Sequence, residues 1–180
     1  MGHTGEYGPR VVGVLSLMAM IAGKPATSAA DGQDGFVRTG LFVARAGDGK
    51  PQYTIVHEIR RGPVVSRGSL VEANIEKRYL ISTARELPCS MFSERFASVL
   101  QAKGSPRDAR MVRDICTVPV IPARSRIVIV YVAGSGKTTV SVEGMGTFQA
   151  TGESAMRAIW GVFLGEGATV AERTALAARR

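Results

Sequence analysis

The chain of 180 residues is poor in the side chains that build metal and thiol chemistry: it has two histidines and two cysteines. His3 and His57 stand far apart in the sequence, so no histidine-built metal site is expected, and no cofactor motif is present. Two cysteines cannot make a disulfide-dense miniprotein or a four-thiolate zinc site. Neither has a CxxC partner or a neighbouring histidine, which argues against thiol catalysis. No apolar run reaches the roughly 18 residues of a membrane-spanning helix. What is present is an ordinary globular composition, 45% hydrophobic and 21% charged, which excludes a disordered or collagen-like chain. The unusual figure is the charge: 23 basic against 15 acidic residues, or +8. Such an excess admits nucleic acid, an anionic membrane surface or an acidic ligand as partner.

Residues 11–22 (VVGVLSLMAMIA) form an uncharged apolar run, too short to cross a hydrocarbon layer of about 30 Å. Arg10 precedes it, and Ser28-Ala29-Ala30 follows with the small residues a signal peptidase requires. The pattern predicts an export signal over residues 1–30 and one domain over 31–180, periplasmic or secreted, touching a membrane only through an uncleaved leader. Residues 1–30 hold Arg10, Lys24 and Glu6, so the remaining domain keeps a net charge one unit lower, +7. Outside the cytoplasm, Cys89 and Cys116 have two readings: a disulfide, or two small buried apolar side chains. Both stay open at this level.

Along residues 31–180, β-branched and aromatic residues predict a strand over 36–46. A turn at Gly47-Asp48-Gly49-Lys50-Pro51 follows, then a second strand with Tyr53, Ile55 and His57 on one face. KRYLIST (residues 77–83) reads as a further strand. Ser90 is the expected N-cap of a helix with Phe92, Phe96, Val99 and Leu100 at helical spacing, and Pro106 opens a second, short helix. RIVIVY (residues 126–131) is the most strand-like segment in the chain. A helix from about residue 153, ended by glycine capping near Gly165, and a last Ala-rich helix from about residue 169 complete the pattern.

Ala133-Gly134-Ser135-Gly136-Lys137-Thr138-Thr139 invites a phosphate-loop reading, which the spacing rejects. GxxxxGK[ST] would require glycine at position 131, which is Tyr131. A phosphate-loop lysine must also open a helix, whereas Thr138-Thr139-Val140-Ser141-Val142 alternates with period two. The segment is a hairpin tip between strands, and the chain is not read as a P-loop NTPase.

The run from Tyr131 through Gly144 (YVAGSGKTTVSVEG) resembles the bacterial chalcone isomerase-like domain family. There a Tyr-Val/Ile-Pro-Gly strand end leads through a Gly-containing tip into Thr-Val-x-Val-Asn-Gly. Gly146-Thr147-Phe148, the helix ending Ile159-Trp160-Gly161-Val162-Phe163-Leu164-Gly165, and Lys77-Arg78-Tyr79-Leu80-Ile81 before Arg85-Glu86-Leu87-Pro88 fit the same family in the same order. Ala133 and Glu143 stand where the family has Pro and Asn. The resemblance implies an α+β fold, an open-faced sandwich of an antiparallel sheet with helices on one face. It also implies a choice of function. One is a non-catalytic binder of a small apolar acid such as a fatty acid; the alternative is an intramolecular lyase that closes a ring by adding an oxyanion to an enone. The arginine on an early strand that serves such sites is matched, by setting, to Arg38. The sequence places no further catalytic residue. Basic residues are scattered without a run of five or interleaved aromatics, which excludes a nucleic-acid track and leaves a small apolar or acidic ligand as partner. No oligomeric state is assigned.

Overall fold

A computed structural model describes residues 35–62 and 65–178. The expected export segment, residues 1–30, lies outside the described residues. The first hairpin forms where the turn chemistry put it: β1 (Phe36–Arg45) and β2 (Pro51–Arg60) pair antiparallel. Its turn is closed by the Ala46 N–H to Lys50 O at 2.9 Å and by the Asp48 carboxylate accepting from the Lys50 N–H at 3.0 Å. Gly49 adopts φ +75° there, a conformation that only a residue without Cβ enters freely.

The chain continues through β3 (Lys77–Thr83), β4 (Leu87–Pro88), α1 (Cys89–Ala102), α2 (Pro106–Arg113) and β5 (Val120–Ile121). It then runs through β6 (Arg126–Val132), β7 (Lys137–Val142), β8 (Gly146–Thr151), α3 (Glu153–Leu164) and α4 (Val170–Leu176). Six strands make one open sheet in the order β1-β2-β3-β6-β7-β8, antiparallel throughout. Lys137 opens β7, opposite Val132, so the glycine-rich tip is a hairpin turn.

Period-two alternation sends one face of the sheet inward. Ile55 and His57 on β2, Tyr79 and Ile81 on β3, Ile127, Ile129 and Tyr131 on β6, Val140 and Val142 on β7, and Phe148 on β8 are all buried. They meet Phe96 and Leu100 of α1 and Ile159, Trp160 and Phe163 of α3 in one core. Each fully buried large apolar side chain contributes about 1.5–3 kcal/mol, so this layer holds the helices on the sheet. On the other face Val56, Glu58, Leu80 and Val128 are only half-buried.

Three local expectations change. Ser90 is not the cap of α1: the helix starts at Cys89 with Pro88 before it and no side-chain cap. The start is held instead by the short β4–β5 ladder, by the Cys89 N–H to Pro119 O at 2.8 Å, and by a Cys89–Cys116 disulfide. Gly165 does not end α3 through a left-handed cap, since its φ is −109°. A Cβ there would stand 2.8 Å from the Gly161 Cα, so the glycine permits close approach rather than a turn. The last helix is short, and its start is fixed by a capping box: the Thr169 hydroxyl accepts from the Glu172 N–H while the Glu172 carboxylate accepts from the Thr169 N–H.

The disulfide closes a loop across 27 positions that contains both α1 and α2. Replacing both cysteines by alanine should lower the unfolding free energy by about 2–4 kcal/mol. Urea denaturation of the variant beside the unmodified chain checks this, and coincident midpoints would show that the bridge adds nothing. Among the described residues, no helix is long and apolar enough to cross a membrane.

Candidate ligand-binding cavity

A cavity of about 150 Å³ lies between β2, β3 and β6 of the sheet and the helices α1 and α3. Ile81, Leu87, Phe92, Ile127 and Phe163 form its apolar walls, and Met91 stands at its mouth, 42% exposed. The polar side chains lining it are Gln52, Tyr53 and Arg95. The enclosure follows from the fold: strand alternation turns Ile81 and Ile127 inward, and the helical spacing of Phe92 and Arg95 turns both toward the sheet.

Arg95 organises the polar end. Its Nη1 donates to Glu172 Oε1 at 2.8 Å and its Nη2 to Glu172 Oε2 at 2.7 Å, a bidentate pair between α1 and α4. Nη2 also reaches the carbonyl oxygens of Val162 and Gly167, and the guanidinium lies 4.6 Å from the centre of the Phe163 ring. The Glu172 side chain is 4% exposed against 27% for Arg95. Burial pushes the Glu172 carboxyl up, but the hydrogen bonds from Arg95 and from the Thr169 N–H outweigh it, and the group ends below the usual carboxylate range. Burial raises the Tyr53 phenol, and the Glu172 charge adds to that against the opposing pull of Arg95. Tyr53 is therefore a neutral hydrogen-bonding group at neutral pH.

Behind the cavity runs a second set of buried polar groups. The Trp160 indole N–H donates to His57 Nε2 at 3.0 Å, and His57 Nδ1 lies 2.5 Å from Thr39 Oγ1. Indole only donates, so the network assigns the imidazole proton to Nδ1, which donates to Thr39; Thr39 in turn donates to Leu176 O at 2.9 Å. Burial drives the His57 pKa down to about 3, and the Lys77 charge adds to the effect, so the ring is neutral. The chain Trp160–His57–Thr39–Leu176 ties α3, β2, β1 and α4 together. It offers a ligand no free donor or acceptor.

Lys77 is fully buried, with its Nζ donating to the carbonyl oxygens of Leu70, Val71 and Ala73 at 2.9, 3.0 and 2.9 Å. It sits 5.1 Å from the centre of a Trp160 ring. Desolvation lowers its pKa to about 7.

A larger, open groove of about 740 Å³ runs beside α1 and α3 past Glu72, Lys103, Arg157 and Glu166. Its charges answer one another: Arg157 pairs with Glu72 at 2.8 Å, and Lys103 with Glu166 at 3.5 Å. The smaller cavity has the enclosed apolar walls and converging polar groups of a ligand site.

Arg38 stands exposed on β1 in register with Glu58, and it does not line the cavity. The arginine that the fold brings there is Arg95. Sequence reading passed over Arg95, Tyr53 and Glu172 as site residues. Two signals were present: a charge three positions after Phe92 and four before Val99, on the apolar stripe of α1, and the Thr169-x-x-Glu172 pattern of a capping box. Among the described residues, no group of three histidine, cysteine, aspartate or glutamate side chains could hold a metal ion.

No protein-family model matches the chain, and no curated protein matches it. Among solved structures it is similar to the crystal structure of the fatty-acid binding protein AtFAP1 of Arabidopsis thaliana. The TM-score is 0.57 at 15% sequence identity, over 77% of this chain and 84% of that one. At that identity the likeness shows the fold, the chalcone isomerase-like α+β sandwich with an open antiparallel sheet.

Proposed function

We propose that the protein is an exported, non-catalytic binder of a small apolar acid such as a fatty acid, held between sheet and helices. The observation that carries this reading is the cavity itself, lined mostly by apolar side chains with Gln52, Tyr53 and Arg95 as its polar ones. The shared fold with a fatty-acid binding protein supports it. Export is supported by the apolar run at residues 11–22 with Ser28-Ala29-Ala30 after it, and by a disulfide, which oxidising compartments favour. A ring-closing lyase would need an unmatched cation for its oxyanion, whereas Arg95 is already matched by Glu172.

A cavity of this volume holds about one benzene ring. A longer tail therefore leaves past Met91, the half-exposed side chain at the mouth. Native mass spectrometry of the full chain, purified without detergent, should show one retained acyl ligand per molecule. Met91→Trp should fill the mouth and reduce the retained fraction at least tenfold while the thermal midpoint stays unchanged. A ligand-free spectrum, together with no binding of added medium-chain acids or alcohols, would remove this reading.

A further inference from the structure

We propose that the cavity takes ligands whose polar end is uncharged, either an alcohol or an acid that carries its proton, so that binding an acid is coupled to uptake of one proton. This rests on the reading of the cavity as a ligand site. It goes beyond that reading by fixing the charge of the ligand.

The charges around Arg95 set this preference. Arg95 supplies one positive charge, and Glu172, 4% exposed, already neutralises it through both oxygens. Beside Arg95, no charged side chain lines the cavity. Tyr53 on β2 and Tyr79 on β3 are phenols that burial holds protonated. From α3 come the Val162 carbonyl and the Phe163 ring. On α4, Arg173 keeps its positive charge but is held on the carbonyl oxygens of Gly165 and Ala168, and the charge that acts on Glu172 is that of Arg95. An incoming carboxylate would make two anions for one guanidinium in a desolvated site, and such a pair retains a proton. Expelling Glu172 is no easy escape, because its carboxylate also accepts the Thr169 N–H that starts α4. The complex therefore forms from the carboxylate plus one solvent proton. A new O–H bond lies on the ligand or is shared with Glu172, and its hydrogen bond is accepted inside the site. An alcohol enters with its proton in place and needs none.

The test is a calorimetric or NMR titration of the full chain with 1-octanol and with octanoate, at about pH 7.5 and about pH 6.5, both well above the carboxylic range. Octanol should bind equally at both pH values and at least tenfold more tightly than octanoate at the higher one. Octanoate should tighten about tenfold for the one-unit drop, the slope of a single linked proton. Glu172→Gln keeps the Thr-x-x-Gln capping box but removes the resident anion. It should bind octanoate at least tenfold more tightly at the higher pH and lose the pH dependence. Should this variant fail to fold, the pH slope of the unmodified chain still decides. Octanoate binding more tightly than octanol, with no pH dependence, overturns this proposal and leaves the cavity a carboxylate site. Binding of neither probe overturns the ligand site, and this proposal with it.

Discussion

Acidification through the range from pH 6.5 to about 3 will cost the protein much of its stability, with one buried imidazole as a principal cause. His57 has a pKa of about 3 in the folded chain against an ordinary 6.5, because burial and the Lys77 charge disfavour its cation. The folded value is depressed, so below pH 6.5 the unfolded chain takes a proton that the folded one refuses. The imidazole's contribution is then complete above 6.5 and is lost as pH falls until the folded ring itself titrates. Each unit in that window costs about 1.4 kcal/mol, a total of roughly 5 kcal/mol, comparable with the whole stability of many domains. Protonating the ring would also place an N–H against the Trp160 N–H, since Nε2 is now an acceptor. Lys77 contributes little to this slope, being mostly charged in both states below its value of about 7. Urea midpoints measured between about pH 6.5 and pH 5, above most carboxylate titration, isolate the imidazole. The unmodified chain should lose stability over that interval and His57→Ala, less stable at neutrality, should not. A flat profile in the unmodified chain would show that the ring is not held neutral.

Arg95→Met should destabilise the fold by about 3 kcal/mol, the lower part of the range for stripping one partner from a buried ion pair, because Arg95 keeps some solvent contact. The cost arises at Glu172, whose carboxylate is left buried with only the Thr169 N–H to satisfy it. Removing that charge as well should restore part of the loss. Arg95→Met combined with Glu172→Gln is expected to unfold at higher urea than Arg95→Met alone, by about 1–2 kcal/mol of recovered stability. Equal midpoints for the single and double variants would show that Glu172 is not stranded, and that α4 is held by something other than this pair.

What could be read from the residues, and what could not, divides by range of contact. β1, β2, β3, β6 and β7 were legible because period-two alternation and turn residues act between neighbours, and each strand appears within a residue or two of its expected place. The inward face of β2 was legible for the same reason, Ile55 and His57 both being buried. Arg38 was placed by resemblance, but the register shift between Arg38 and Gly40 puts Thr39 and Gly40 both inward and leaves Arg38 exposed. That shift answers to α4: a Cβ on Gly40 would lie 2.1 Å from the Ala175 carbonyl oxygen, a contact across more than a hundred positions. No local pattern announces such an approach. Neither Arg95 nor Lys77 stood out in the sequence as a buried charge, because their partners Glu172 and the 70–73 carbonyls come from the fold.

The ammonium of Lys77 gathers the segment before β3 by gripping three peptide carbonyls. Recognition of this kind reads the main chain, which every amino acid possesses. Substitutions at Leu70, Val71 or Ala73 leave those acceptors intact, so drift in that segment alters its outer chemistry, including the groove wall at Val71 and Glu72, without loosening its anchor. The constraint falls on a position outside the segment. A change at Lys77 releases three acceptors at once, so the shape of one stretch of chain is inherited through another.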